Sequence, residues 1–155
     1  MKNFWKKTSL LLVTTAMTLS APLLAWALEH DIVILHTNDI HCGVNDNIGF
    51  AGLAQLKKDA LAQTPNVALV DAGDAIQGAP LGKLSTGEAV VNIMNAVGYD
   101  FCIPGNHEFD YGMDRFLELV PLQRAGYYCA NFVYAGNNKQ VLPGYKIMQY
   151  EDTKV

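Results

Sequence analysis

Apolar and polar positions alternate along this chain in blocks that read as strands and helices in turn. Asp31 to Thr37 is a near-continuous apolar run, the pattern of a strand covered on both faces. Phe50 to Gln63 places apolar residues at helical spacing and stops at Thr64-Pro65, which predicts an amphipathic helix. Asn66 to Val70 predicts a second buried strand, followed by a Gly- and Pro-containing loop to Leu84. Ser85-Thr86-Gly87-Glu88 has the form of a capping box, with Ser85 as N-cap and Glu88 reaching back. The helix it opens carries Ala89, Val90, Ile93, Met94 and Val97 on its apolar face and ends at Gly98. Tyr99 to Ile103 predicts a third strand, and Gly112 to Arg124 a third helix disturbed by Pro121. Tyr127 to Val133 reads as a fourth strand, and Tyr145 to Tyr150 as a fifth, in a hairpin.

Strands alternating with helices predict an α/β fold with a parallel sheet, beginning with a βαβαβ unit. Three polar clusters follow the first three strands: Asn38 to Gly43, Asp71 to Asp74, and Pro104 to Asp110. Asp39, Asp74 and Asn106 are 35 and 32 residues apart, each step about one βαβ unit of ~30 residues. The clusters therefore fall together at the carboxyl ends of the strands, where open α/β sheets bind ligands. Asp39 and His41 are two residues apart, which in extended backbone points both side chains the same way. Alone that pair is a weak signal, because a solvated acid beside an ordinary histidine is the commoner meaning. Asp74 follows Gly73 and offers a central carboxylate that could bridge two ions. Asn106 offers a neutral carbonyl oxygen, and Asp110 lies three residues beyond His107, close enough to fix its tautomer. Nitrogen and oxygen ligands of this kind suit zinc, manganese or iron.

Composition narrows the picture further. The N-terminus carries Lys2, Lys6 and Lys7, then an uncharged run from Thr8 to Leu28 containing Ala25-Trp26-Ala27. This is the pattern of a secretory signal peptide cleaved after Ala27, an uncleaved membrane anchor being the alternative. The expected organisation is a signal over residues 1–27 and a folded portion over 28–155, exported to the periplasm, cell surface or medium. Removing residues 1–27 takes the formal charge from −4 to −7. That acidity argues against binding nucleic acid polymers, which are held by Lys and Arg. Cys42, Cys102 and Cys129 are an odd number for an exported chain. A Cys102–Cys129 bridge stays undecided, and Cys42 reads as a bystander next to His41.

Thr37-Asn-Asp-Ile-His41, Gly73-Asp74-Ala-Ile-Gln-Gly78 and Gly105-Asn-His-Glu-Phe-Asp110-Tyr-Gly112 resemble the first three motifs of the calcineurin-like metallophosphoesterases. The similarity is to the branch of secreted bacterial 5′-nucleotidases, UDP-sugar hydrolases and 2′,3′-cyclic-nucleotide phosphodiesterases, and it runs from about Ile32 to Asn131. It implies the N-terminal βαβαβ half of a metallophosphoesterase sandwich. It also implies two divalent metal ions: Asp39 and His41 bind one, Asp74 bridges, and Asn106 binds the other. His107 is implied as the catalytic histidine with Asp110 as its partner, and Asn106 and His107 as substrate contacts. The implied reaction is hydrolysis of a phosphate ester, with a small nucleotide as substrate. The family's later histidines are absent, since the four here are His30, His36, His41 and His107. The chain thus reads as the N-terminal part of a longer enzyme that would supply the missing C-terminal part. A non-catalytic or inert truncated exported metal-binding domain is the competing expectation.

Overall fold

A computed structural model of the chain describes residues 31–155. The signal-peptide expectation for residues 1–27 and His30 lie outside the described residues. β1 (Val33–Thr37), α1 (Gly49–Leu61), β2 (Val67–Asp71), α2 (Pro80–Ser85), α3 (Glu88–Val97) and β3 (Phe101–Cys102) follow in order. After them come a 3-10 turn (His107–Phe109), α4 (Met113–Leu119) and a second 3-10 turn (Val120–Leu122). The chain ends in a short hairpin of β4 (Gln149–Tyr150) and β5 (Thr153–Lys154).

β1, β2 and β3 form a parallel sheet in that order. The register pairs Thr37 with Asp71 and Asp71 with Cys102, so the three strands end in step. The polar segments that follow them consequently leave the sheet at one rim. The α/β architecture and parallel pairing agree with the strand–helix alternation of the sequence.

Several elements differ from the expectation, each for a physical reason. β2 is buried along nearly its whole length, but β1 alternates half-buried and exposed residues, with Ile34 53% exposed. Ile34 and His36 point to solvent, so among the described residues one face of the β1 run is uncovered. The segment Ala79 to Leu84 is not a loop: Pro80 opens α2 at its first turn, where a missing N–H costs nothing. Ser85 is the last residue of α2 rather than an N-cap, because Thr86 (φ 45°) and Gly87 (φ 88°) take left-handed backbone and break the helix in two. Gly87 is the N-cap of α3, and a Cβ there would crowd Leu119 and Ile76. The Ser85 hydroxyl still accepts the Ala89 N–H (3.2 Å), while Glu88 turns away to Arg115 (2.9 Å). The expected capping box is therefore absent.

The fourth strand is reduced to one parallel bridge between Cys102 and Tyr127. Beyond it the chain turns to pair with residues 139–143, through Val141 N–H to Phe132 O and Cys129 N–H to Pro143 O. Of the run from Tyr145, only Gln149 and Tyr150 become strand. All three cysteines are free thiols, so the undecided Cys102–Cys129 bridge is not formed.

The core lies between the sheet and its helices and includes Phe50, Leu53, Leu69, Ile76, Val90, Val91, Met94 and Phe116. Phe116 of α4 meets Phe109 edge-on (4.9 Å between centroids) and Tyr127 (5.2 Å). Phe109 also packs on Phe132 (5.2 Å). These rings anchor one side of the 3-10 turn whose other residues face the rim. Phe116→Ala is expected to destabilise the chain by about 3–5 kcal/mol, the usual cost of emptying an aromatic site. Urea denaturation measures this, and a loss below about 1 kcal/mol would contradict the packing.

Candidate metal centre

Each polar cluster is shaped by a strand end and by backbone that leaves extended geometry at once. Asp39 (φ 52°), His41 (φ 48°) and Asp74 (φ 60°) all occupy the left-handed region, unusual for residues bearing a Cβ. Asp39 and His41 thus do not share a face through extended backbone, as their spacing suggests. They converge through two left-handed residues, which brings Asp39 Oδ1 to 3.8 Å from His41 Nε2. The other Asp39 oxygen accepts the Asn38 side-chain amide (2.6 Å). His41 Nδ1 lies 3.1 Å from Gln77 O, so Nδ1 carries the hydrogen and Nε2 is left with a free lone pair.

The loop after β2 lies between its two neighbours. On one side, Asp39, His41 and Cys42 donate their N–H groups to Gly73 O, Asp74 O and Ala75 O (2.9–3.0 Å). On the other, the His107 N–H donates to Asp74 Oδ1 (2.8 Å). Glycine is required at the closest approaches. A Cβ on Gly73 would run into the Gly105 backbone, and one on Gly78 into His41.

These contacts bring three side chains together. One ligand atom from each of His41, Asp74 and His107 lies within 4.8 Å of the other two. Asp39 adjoins this group through His41. Asn106 is exposed and sits between Gly105 and His107, both of which touch Asp74. The residue types suit a borderline divalent cation, and with both imidazole Nδ1 atoms engaged the Nε2 atoms remain available. The site geometry thus sets the His107 ring beside His41 and Asp74, within reach of a group bound there. The His41 and His107 rings stand edge to face, 5.0 Å between centroids. His107 Nδ1 bonds Asp110 Oδ2 (2.8 Å), and this bond raises the imidazole pKa above its ordinary value.

Glu108 is the residue that sequence reasoning passed over. It is 1% exposed and accepts N–H groups from both loops. The signal available in the sequence was a carboxylate in a turn otherwise anchored by Phe109. Cys42 is also buried, and burial pushes its thiol up to about 11. His36 is exposed on β1. Asn38, Asp39 and His36 border a cavity of about 340 Å³ floored by Phe50 and Leu53.

Asp71 ends β2 beneath the rim. Its carboxylate accepts the Thr37 hydroxyl (2.7 Å) and the Gly73 N–H (3.1 Å), and Thr37 also bonds the Tyr99 hydroxyl (2.9 Å).

Comparison with known proteins places this arrangement. The sequence profile of the calcineurin-like phosphoesterases matches residues 32–151, and the chain belongs to that family. It is 32% identical over 165 residues to the snake venom 5′-nucleotidase of Gloydius brevicauda, covering 94% of this chain and 28% of that one. It is 28% identical over 157 residues to the 2′,3′-cyclic-nucleotide 2′-phosphodiesterase/3′-nucleotidase of Haemophilus influenzae, covering 88% of this chain and 24% of that one. The chain therefore spans about a quarter of the length of these relatives. The crystal structure of the calcineurin-like phosphoesterase YfkN from Bacillus subtilis superposes with a TM-score of 0.67 at 30% identity, over 77% of this chain and 42% of that one.

Burial raises the Asp71 carboxyl from the ordinary 3.8 to about 7. A carboxyl with a higher pKa folded than unfolded binds extra protons in the native state between those values. Its contribution is complete below about pH 4 and is lost as pH rises through about 7. In chelator, the metal-free chain should lose on the order of 1–4 kcal/mol between pH 4 and pH 8. Urea midpoints measure this. Asp71→Asn should flatten the decline, and an unaltered slope would contradict the assignment.

Proposed function

We propose that the chain is the N-terminal portion of a divalent-metal-dependent phosphoesterase that hydrolyses small nucleotides. The reading rests chiefly on one observation, the convergence of His41, Asp74 and His107 at the rim of the sheet. Family membership and nucleotide-processing relatives support it. In this reading Asp39 and His41 would hold one divalent ion and Asn106 a second, with Asp74 available to both. A divalent ion pair there would supply an activated water and neutralise phosphoryl charge. His107, oriented by Asp110, then stabilises developing negative charge or passes a proton from Nε2 to the leaving oxygen. Asn106 and His107 also contact the phosphate. The left-handed backbone at Asp39, His41 and Asp74 is strain of the sort that folded proteins keep at functional sites.

Residues 1–27 act in this proposal as an export signal and 28–155 as the N-terminal portion of the phosphoesterase domain. The protein would then work outside the cytoplasm, with no stable membrane insertion after cleavage. Among the described residues no helix is long and apolar enough to cross a membrane. The substrate is a small nucleotide and not a nucleic acid polymer.

A non-catalytic domain holding one cation is the second reading, favoured by the single three-residue group that the described residues form. Titration with Mn²⁺ and phosphate release from a nucleoside 5′-monophosphate separate the two. Asp74→Ala should weaken metal binding by at least about 10-fold. His107→Ala should lower turnover about 10²–10⁴-fold with little loss of metal. Metal binding without hydrolysis would favour the one-cation domain, and no binding at all would overturn both.

A further inference from the structure

Glu108 is nearly inaccessible to solvent and is not one of the three residues grouped at the rim. All the hydrogen bonds its carboxylate accepts come from main-chain N–H groups. Oε2 takes the N–H of Asp74 (2.8 Å) and of Gly105 (2.5 Å). Oε1 takes the N–H of Ala75 (2.8 Å) and of Ile76 (3.4 Å). One side chain thus clamps the loop after β2 to the loop after β3. The ion pairs found among the described residues, such as Lys57–Asp100 and Arg115–Glu88, involve other carboxylates. A buried carboxylate held by dipoles alone is costly to keep, so four converging N–H groups are needed to satisfy it.

The clamp bears directly on Asp74. That residue sits at φ 60°, left-handed backbone that a residue with a Cβ adopts at a cost unless its surroundings hold it there. Its carboxylate is fixed at Oδ1 by the His107 N–H, and its own N–H is fixed by Glu108. Glu108 and His107 are adjacent, so a single turn holds Asp74 at both its backbone and its side chain.

We infer that Glu108 is a positioning residue for metal binding: it fixes the backbone of Asp74 against the Gly105–His107 turn without ligating the ion. This rests on the reading of Asp74 as a metal ligand. In Glu108→Gln one carboxylate oxygen becomes an amide NH₂. Whichever way the amide faces, a donor is then set against at least two N–H donors. The Asp74 loop loses its fixed geometry while the side-chain volume is kept.

The test is Mn²⁺ affinity of the folded 155-residue chain, by calorimetry or EPR, well below the melting temperature of each variant. Glu108→Gln should weaken binding about 10–100-fold, the range usual for residues that orient metal ligands. Glu108→Asp retains the charge with a shorter reach and should fall between it and wild type. Met94→Ala, which empties a core position on α3 away from that turn, should bind Mn²⁺ as wild type does. Wild-type affinity in Glu108→Gln, with Asp74→Ala strongly impaired, would overturn the positioning role alone. Unchanged binding in Asp74→Ala would instead remove the metal site on which the role depends. Failure of both Glu108 variants to fold would also overturn it, by assigning Glu108 to general stability.

Discussion

Three parallel strands end level with one another, and everything at the rim follows from that register. Thr37, Asp71 and Cys102 stand side by side, so the next residues of each strand must turn within reach of the others. The middle loop, Asp71 to Gly78, then serves as a shared template. It accepts backbone N–H groups from the Asp39–Cys42 segment and gives its own to Glu108 on the far side. Hydrogen bonds of this kind each contribute only about 0.5–1.5 kcal/mol. Their weight here is geometric, because together they leave the side chains of His41, Asp74 and His107 no choice but to converge.

The same rim concentrates negative charge that water would otherwise stabilise. Asp71 and Glu108 are buried and Asp39 and Asp74 stand above them. Hydroxyl and N–H donors satisfy the two buried carboxylates, and the raised pKa of Asp71 is the cost that remains. A site built this way favours a cation at its mouth, since one binding there relieves repulsion that the fold maintains in its absence.

The strands that carry the site were legible in the sequence, as were the three polar clusters at their ends. Val67 to Asp71 is apolar, β-branched and buried, and it behaves as its pattern says. What was not legible depends on contacts distant in the chain. The β1 pattern promised a covered strand, but the neighbour that would cover it is not among the described residues. The split between α2 and α3 turns on left-handed Thr86 and Gly87, chosen by the approach of Leu119 and Ile76. Tyr127 to Val133 had strand composition, yet bonds from residues 139–143 draw it off the sheet after one bridge. At the rim the spacing of Asp39 and His41 placed them together by an argument from extended backbone that the actual dihedrals replace. Glu108 could not be distinguished from an exposed acid until its four N–H partners were seen.

If these loops share a divalent ion, anomalous diffraction from crystals grown with Mn²⁺ will reveal it. A peak is expected within coordination distance of His41 Nε2 and an Asp74 carboxylate oxygen. A well-ordered crystal with those two side chains placed as here and no anomalous density between them would contradict it.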